Sequence, residues 1–399
     1  MRTGTLFRAR ALKNVFGGDA LSRVENQVVL TPGVIAGEDF VGEAAAVHRD
    51  YVRAQVREIL TPSPDRVTPE CPGAGCCPGC AYMHWRHEAE QQTKLAQLRE
   101  FLSPWLPAEA VASAMPEPAP ATGYRNKLKL TMRKTGGTPQ LGYTAPDGRC
   151  YEIRQCRLAC AAINEKLSEL YRDPGFFHTL HDRMTLTLRA SQDGVTIFRN
   201  RPSPRLGLLR EKVMERDFLV PPGGFFQVNP FGLAALTGLL REVLQKYQVG
   251  HLIDAYAGAG LFGAAAAATG VPRLTGVELD AASAEAARVN WRNFGAKEFD
   301  FRQGDSGALL PELLRKADGE TLLVLDPPRG GLDGQTAQLA ARAKNLALVV
   351  YISCHPATLT RDLGILHRGG LKPEFARMID MFPRSAHMEC FTLLRRAEK

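Results

Sequence analysis

The chain contains no run of about 18 apolar residues, the length a helix needs to cross a bilayer. Its longest small-residue stretch, Gly258 to Thr269, is mostly Ala and Gly and is too short. The N-terminus, MRTGTLFRAR, carries charge with no apolar segment behind it, so it does not have the form of a secretory signal. No internal repeat or low-complexity tract is evident, which argues against solenoids and disordered tails. An excess of negative charge is also missing. These absences lead to the expectation of a cytoplasmic, monomeric protein with no membrane partner.

What is present is ordinary globular composition: 45% hydrophobic and 23% charged residues over 399 positions. That length exceeds what one core usually serves, so two or three domains are expected. The formal charge of +8 and a pI near 9.0 favour a polyanionic partner such as nucleic acid. Many basic proteins bind no nucleic acid, so charge alone decides little.

The nine cysteines cluster. Four fall within ten residues (Cys71, Cys76, Cys77, Cys80), three within eleven (Cys150, Cys156, Cys160), and Cys354 and Cys390 stand near the C-terminus. A cytosolic chain rarely keeps structural disulfides, so such grouping points to ligation of a metal or cluster. Three close thiolates with a distant fourth suit zinc and iron–sulfur equally.

Up to about residue 60, apolar runs such as Val28 to Leu30 and Tyr51 to Leu60 are broken by Gly17-Gly18 and Pro32-Gly33, the pattern of short strands in an OB-type barrel. Thr61-Pro62-Ser63-Pro64 then forms a linker. After the cysteines, Leu95, Leu98 and Leu102 give one face of a helix over 84–102. Pro116, Pro118 and Pro120 mark a second junction. Alternating segments over 127–134, 184–190 and 194–200 predict antiparallel strands, the last two a hairpin across Ser191 to Gly194.

From about Phe225 apolar strands (251–255, 274–279, 322–325, 347–352) alternate with helical segments, which predicts a parallel α/β sheet. Two last strands, 375–382 and 388–395, follow each other without a helix and should pair antiparallel. The expected division is 1–62, 63–215 and 216–399.

The stretch Ile253-Asp254-Ala255-Tyr256-Ala257-Gly258-Ala259-Gly260 puts two glycines after the first strand of that sheet, where backbone turns sharply and approaches a ligand. About 20 residues on, Glu278 can take ribose hydroxyls. The third glycine of the dinucleotide fingerprint is missing, which favours a nucleoside cofactor without pyrophosphate, S-adenosylmethionine foremost. Asp305, ending a third strand, could contact adenine.

Asp326-Pro327-Pro328-Arg329 closes the fourth strand. Methyltransferases acting on exocyclic amines typically carry an aromatic after this motif, and cytosine-C5 enzymes a cysteine in that region; neither is here. The cysteine comes one strand later, in Tyr351-Ile352-Ser353-Cys354-His355-Pro356, at a strand's carboxyl end. Uracil C5 is too weak a nucleophile to take a methyl group unaided. Thiolate addition at C6 makes C5 carbanion-like, and a base must later remove the C5 proton. Glu389 is the candidate base. An isolated cysteine is most often inert and buried, and an isolated glutamate is most often solvated, so neither residue speaks alone.

Together the motifs resemble the RNA uracil-C5 methyltransferases, above all the ribosomal-RNA branch with an N-terminal TRAM domain and an iron–sulfur cluster. The matching stretches are Cys71-x5-Cys77-Pro78-Gly79-Cys80 with His84, Gln91 and Lys94; Tyr124-Arg125-Asn126-Lys127; Phe225-Phe226-Gln227-Val228-Asn229; Asp254-x-Tyr256-x-Gly258-x-Gly260; Asp326 to Arg329; Ser353-Cys354-x-Pro356-Ala357-Thr358 with Arg361-Asp362; and Asp380 to Pro383 through His387-x-Glu389. They run in family order over nearly the whole chain. The resemblance implies a class I, Rossmann-like methyltransferase domain over 216–399, an OB-like TRAM barrel over 1–62 and a central iron–sulfur domain between them. It implies Cys354 as nucleophile and Glu389 as base, and Gln227, Tyr256, Gly258, Gly260, Glu278, Asp305 and Asp326 around S-adenosylmethionine. Cys71, Cys77, Cys80 and Cys156 would hold a 4Fe–4S cluster, with Cys76 and Cys160 as competing ligands. RNA is the implied partner, ribosomal or transfer. The chain departs from the family at Ala257 and Leu261, where Cys and Asn or Thr are usual. A non-catalytic RNA-binding relative would need neither Cys354 nor Glu389.

Overall fold

The computed structural model describes residues 1–115, 119–135, 138–145 and 149–396; Pro116 and Pro118 lie outside them. The N-terminal strands alternate strictly: in Asp39–Val47, Phe40, Gly42 and Ala44 are buried and their neighbours are not. Leu6–Arg10 pairs with Asp39–Val47 at one edge of the sheet. The same stretch bends at Ala11-Leu12, and Lys13–Asn14 pairs with Asp19–Val24 at the other edge. One bent strand thus bonds both edges and closes the sheet around Phe7, Val29, Phe40 and Val52. Gln27–Pro32 and Tyr51–Thr61 run parallel within it.

The segment expected to be a linker is tied down instead. Buried Glu38 accepts from Arg66 Nε and Nη2 at 2.6 Å each, and from the Ser63 amide at 3.0 Å.

A central five-stranded antiparallel sheet follows (Lys127–Thr135, Thr138–Thr144, Cys150–Glu152, Thr185–Ser191, Gly194–Arg199). Its last two strands form the hairpin expected across Ser191 to Gly194. Thr138–Thr144 and Cys150–Glu152 escape sequence reading because Pro139, Gly142 and turn residues interrupt any period-2 pattern.

The large sheet is α/β. Its strands are β1 (His251–Asp254), β2 (Arg273–Glu278), β3 (Phe299–Gln303), β4 (Thr321–Leu325), β5 (Leu348–Ser353), β6 (Leu371–Ile379) and β7 (Glu389–Arg396). The order is β3-β2-β1-β4-β5-β7-β6, with Val111–Ser113 added beside β6. β1 to β5 are parallel and mostly apolar, as in β4 (TLLVL), where only Thr321 is polar. β7 inserts antiparallel to both β5 and β6. The helix His87–Leu102 starts three residues later than the expected 84 and packs Leu98 and Leu102 into the core under this sheet. Residues 87–113 therefore cross the boundary expected at 216. Among the described residues no helix is long and apolar enough to cross a membrane.

Candidate active site

Register builds the site. β5 and β7 pair Tyr351 with Thr392, Ile352 with Phe391 and Ser353 with Cys390. The ladder ends there, and the residues that follow on each side, Cys354 and Glu389, lie close enough at the carboxyl edge of the parallel strands for the carboxyl's charge to act on the thiol. Cys354 is half-buried, whereas Glu389 is 5% exposed. Burial, reinforced by the Glu389 carboxylate, pushes the Cys354 thiol up to about 11. Burial, reinforced by Asp326, lifts Glu389 well above the usual carboxylate range. The Arg329 guanidinium opposes both shifts. Cys390, one residue from Glu389, is fully buried against Thr392 and has no access.

Asp326 follows β4 directly, and burial pushes its carboxyl up to about 7. The loop after it is clamped from the helix Pro356–Arg368. Asp362, buried, accepts from the Leu332 amide at 2.8 Å and the Tyr351 hydroxyl at 2.7 Å. Arg361 donates to the carbonyls of Gly330 and Leu332, both at 3.0 Å. This aims Arg329 at His387, whose Nε2 lies 3.0 Å from its Nη2. Burial, then Arg329, push His387 down to about 4, so it is neutral and accepts that bond. His355 caps the same helix through the Thr358 amide and meets Phe16 of the barrel edge-on at 5.3 Å.

The glycine loop leaves β1 beside these groups. Gly258 and Gly260 have φ of +54° and +87°, which side chains rarely adopt. Their surroundings differ. A Cβ at Gly258 would stand in open space, but one at Gly260 would lie 2.7 Å from Trp291 Nε1 and 2.8 Å from Ala287. Gly260 thus serves close packing against buried Trp291. Glu278 fixes the loop from β2: its carboxylate accepts from the Gly258 amide at 2.8 Å and the Asp280 amide at 2.7 Å. Asp254 is fully buried, and burial, reinforced by Asp326 and opposed by the Gly263 and Tyr256 amides, pushes it up to about 8. Tyr256 stands toward Asp333, and burial raises its hydroxyl to about 12. Gln227 is buried just ahead of Asn229, which caps the helix Pro230–Lys246. One Asp305 oxygen is engaged in capping Ser306–Arg315 through the Ala308 amide at 3.0 Å.

The tRNA (Uracil-5-)-methyltransferase family model matches residues 313–397, the stretch that carries Asp326, Cys354 and Glu389. An uncharacterised RNA methyltransferase of Streptomyces coelicolor is 29% identical over 96% of this chain and 91% of its own. One of Listeria innocua is 27% identical over 95% of each. The chain is an RNA methyltransferase whose C-terminal part is similar to the RNA uracil-C5 enzymes. The crystal structure of the Pyrococcus abyssi tRNA (uracil-54, C5)-methyltransferase with S-adenosyl-L-homocysteine shares this methyltransferase's fold, with a TM-score of 0.73 over 97% of this chain and 99% of that one at 20% identity.

Elsewhere in this methyltransferase, Cys71, Cys77, Cys80 and Cys156 line one cavity of about 320 Å³ with Arg125 and Tyr143. Cys76 is exposed, and Cys160 heads the helix Ala161–Arg172; neither lines the cavity. Burial, then Cys77, push the Cys80 thiol up to about 12. Among the described residues, no three of these sulfurs come within 4.8 Å of one another.

Sequence reasoning missed Phe225 and Leu279, which are 70% and 68% exposed beside Gln227 and Glu278. A large apolar residue beside a polar residue of each motif was the available signal. It also missed Lys127, whose amine burial and the nearby Arg189 lower to about 8.

Proposed function

We propose that this methyltransferase moves a methyl group from S-adenosylmethionine to C5 of a uridine in RNA, through a Cys354–C6 adduct that Glu389 resolves. The observation that supports this reading is the end of the β5–β7 ladder, where the Glu389 carboxyl lies close enough to act on the Cys354 thiol. The Cys354 thiolate adds to C6, and the electrons pass to C5 and O4. C5 then takes the sulfonium methyl as the S–CH3 bond breaks. The Glu389 carboxylate accepts the C5 proton, and the returning electrons expel the thiolate. Sulfur bonded to carbon carries no charge, so the repulsion between thiolate and carboxylate disappears when Glu389 must act as a base.

The donor fits the same electrostatics. Asp254, Asp326 and Glu389 are enclosed acids with raised proton affinity. A sulfonium cation is the partner such a set favours. Glu278 would hold the ribose, Leu279 one face of the adenine, and Gln227, Tyr256, Gly258, the free oxygen of Asp305 and Asp326 the remainder.

The four cavity-lining cysteines would hold a 4Fe–4S cluster. Three thiolates on one zinc at about 2.3 Å would sit about 3.8 Å apart. Among the described residues no three of these sulfurs come within 4.8 Å of one another, so the set does not have the spacing of a three-thiolate zinc site. A visible absorption band of anaerobically purified protein, bleached by dithionite, is the expected result; stoichiometric zinc without iron would overturn it. The closed N-terminal sheet would be the TRAM barrel that grips RNA, and with the cluster it favours 23S ribosomal RNA as substrate.

The test is methyl transfer from labelled donor to ribosomal and transfer RNA transcripts, with base analysis. Cys354→Ala should abolish transfer and leave donor binding near normal. Glu389→Gln should accumulate protein covalently bound to methylated RNA. Methylated cytosine or adenine in the product would overturn the reading.

A further inference from the structure

The loop Asp380 to Met388 delivers Glu389 to the site, and it is suspended from a buried cation. Lys94, on the helix His87–Leu102, has no exposed surface. Its ammonium donates to Glu90 Oε1 at 2.7 Å, Asp380 Oδ1 at 2.8 Å and the Phe382 carbonyl at 3.2 Å, using all three of its protons. Glu90 holds the loop's other shoulder. It accepts from the Arg384 amide at 2.7 Å and the Arg384 guanidinium at 3.3 Å. Arg384 sits at φ +66°, a strained conformation for a side-chain-bearing residue, and the Ala81 and Tyr82 amides both reach its carbonyl at 3.0 Å. Between the two shoulders, the Tyr124 hydroxyl donates to the Pro383 carbonyl at 2.9 Å.

The oxygens of Glu90 and Asp380 and a ring nitrogen of His87 lie within 4.8 Å of one another, the spacing of a cation site. No ion is needed there, because the Lys94 ammonium fills it. A buried ionic cluster adds little net stability over apolar packing of the same volume, but it is directional. Here its direction fixes a loop whose last step is the catalytic carboxyl.

We infer that Lys94 is a positioning residue for Glu389, acting through Asp380 and Phe382 with Glu90 and Arg384 as the opposite anchor. The inference rests on the reading of Glu389 as base. A displacement near 1 Å is enough to cost about 100-fold in a proton-transfer step.

The test separates adduct formation, which needs Cys354, from adduct release, which needs Glu389. Lys94→Met combined with Asp380→Asn removes the cation with the loop's own carboxylate, and leaves Glu90 paired with Arg384. Tyr124→Phe removes one loop contact and no charge, so it stays informative if the double variant does not fold. Single-turnover reactions on labelled RNA, resolved on denaturing gels, give both rates. In the double variant adduct should form within about threefold of the parent rate and release should slow at least about tenfold; Tyr124→Phe should slow the same step by about threefold. Release that keeps pace with formation, or equal losses in both steps, would overturn the positioning role. Glu389→Gln is measured alongside. If it turns over normally, the base assignment fails; if it traps adduct while the Lys94 and Tyr124 variants do not, only the positioning role fails.

Discussion

At the scale of single residues, the site sets two acids against each other. Burial and the nearby carboxylate keep the Cys354 thiol protonated up to about 11, and the Arg329 charge counters this. The rate of adduct formation should therefore climb with pH throughout the range below about 11. Glu389→Gln removes the negative neighbour, so thiolate forms more readily and the climb should move to lower pH. Arg329→Met should move it to higher pH. Single-turnover adduct formation against pH checks both directions, and an unmoved profile in Glu389→Gln would separate the two groups. The thiol and the carboxyl were legible in the chain because each sits in a distinctive motif at a strand end. Lys94 was visible only as a matching letter. Nothing local links it to Asp380, 286 positions away, so its role is a product of folding.

At the scale of elements, strands and helices with clean periodicity were legible, and β1 to β7 fall within a few residues of expectation. The meaning of individual glycines was not. Gly258 and Gly260 look alike in the motif, yet one borders space and the other Trp291. Gly258→Ala should cost about 1–2 kcal/mol of stability from backbone strain and weaken donor binding more than it weakens the fold. Gly260→Ala meets strain and overpacking together and should cost about 2–4 kcal/mol, seen as a lowered denaturation midpoint. Equal loss of donor binding at equal stability in both variants would refute the distinction. Asp305 shows the same limit: its motif suggests a ligand contact, and its geometry shows a helix cap engaging one of its oxygens.

At the scale of the whole molecule, the dependence of distant segments on one another was not legible. Contacts between distant segments have no sequence period. The barrel reaches the cap of the helix Pro356–Arg368, beside Cys354, through Phe16 and His355. The cysteine-rich block is far in sequence from Cys354, yet Ala81, next to Cys80, hydrogen-bonds the loop that leads to Glu389.

The short strand Val111–Ser113 has a further consequence. It runs alongside Ala376 to Met378 and covers the outer edge of β6. At the opposite margin β3 is shielded by its own charges, Asp300 and Arg302. A fragment cut at residue 216 would keep the charged margin and lose the covered one. Its bare β6 backbone would be a template for pairing with other copies, so such a fragment would self-associate into aggregates before it could be tested for chemistry.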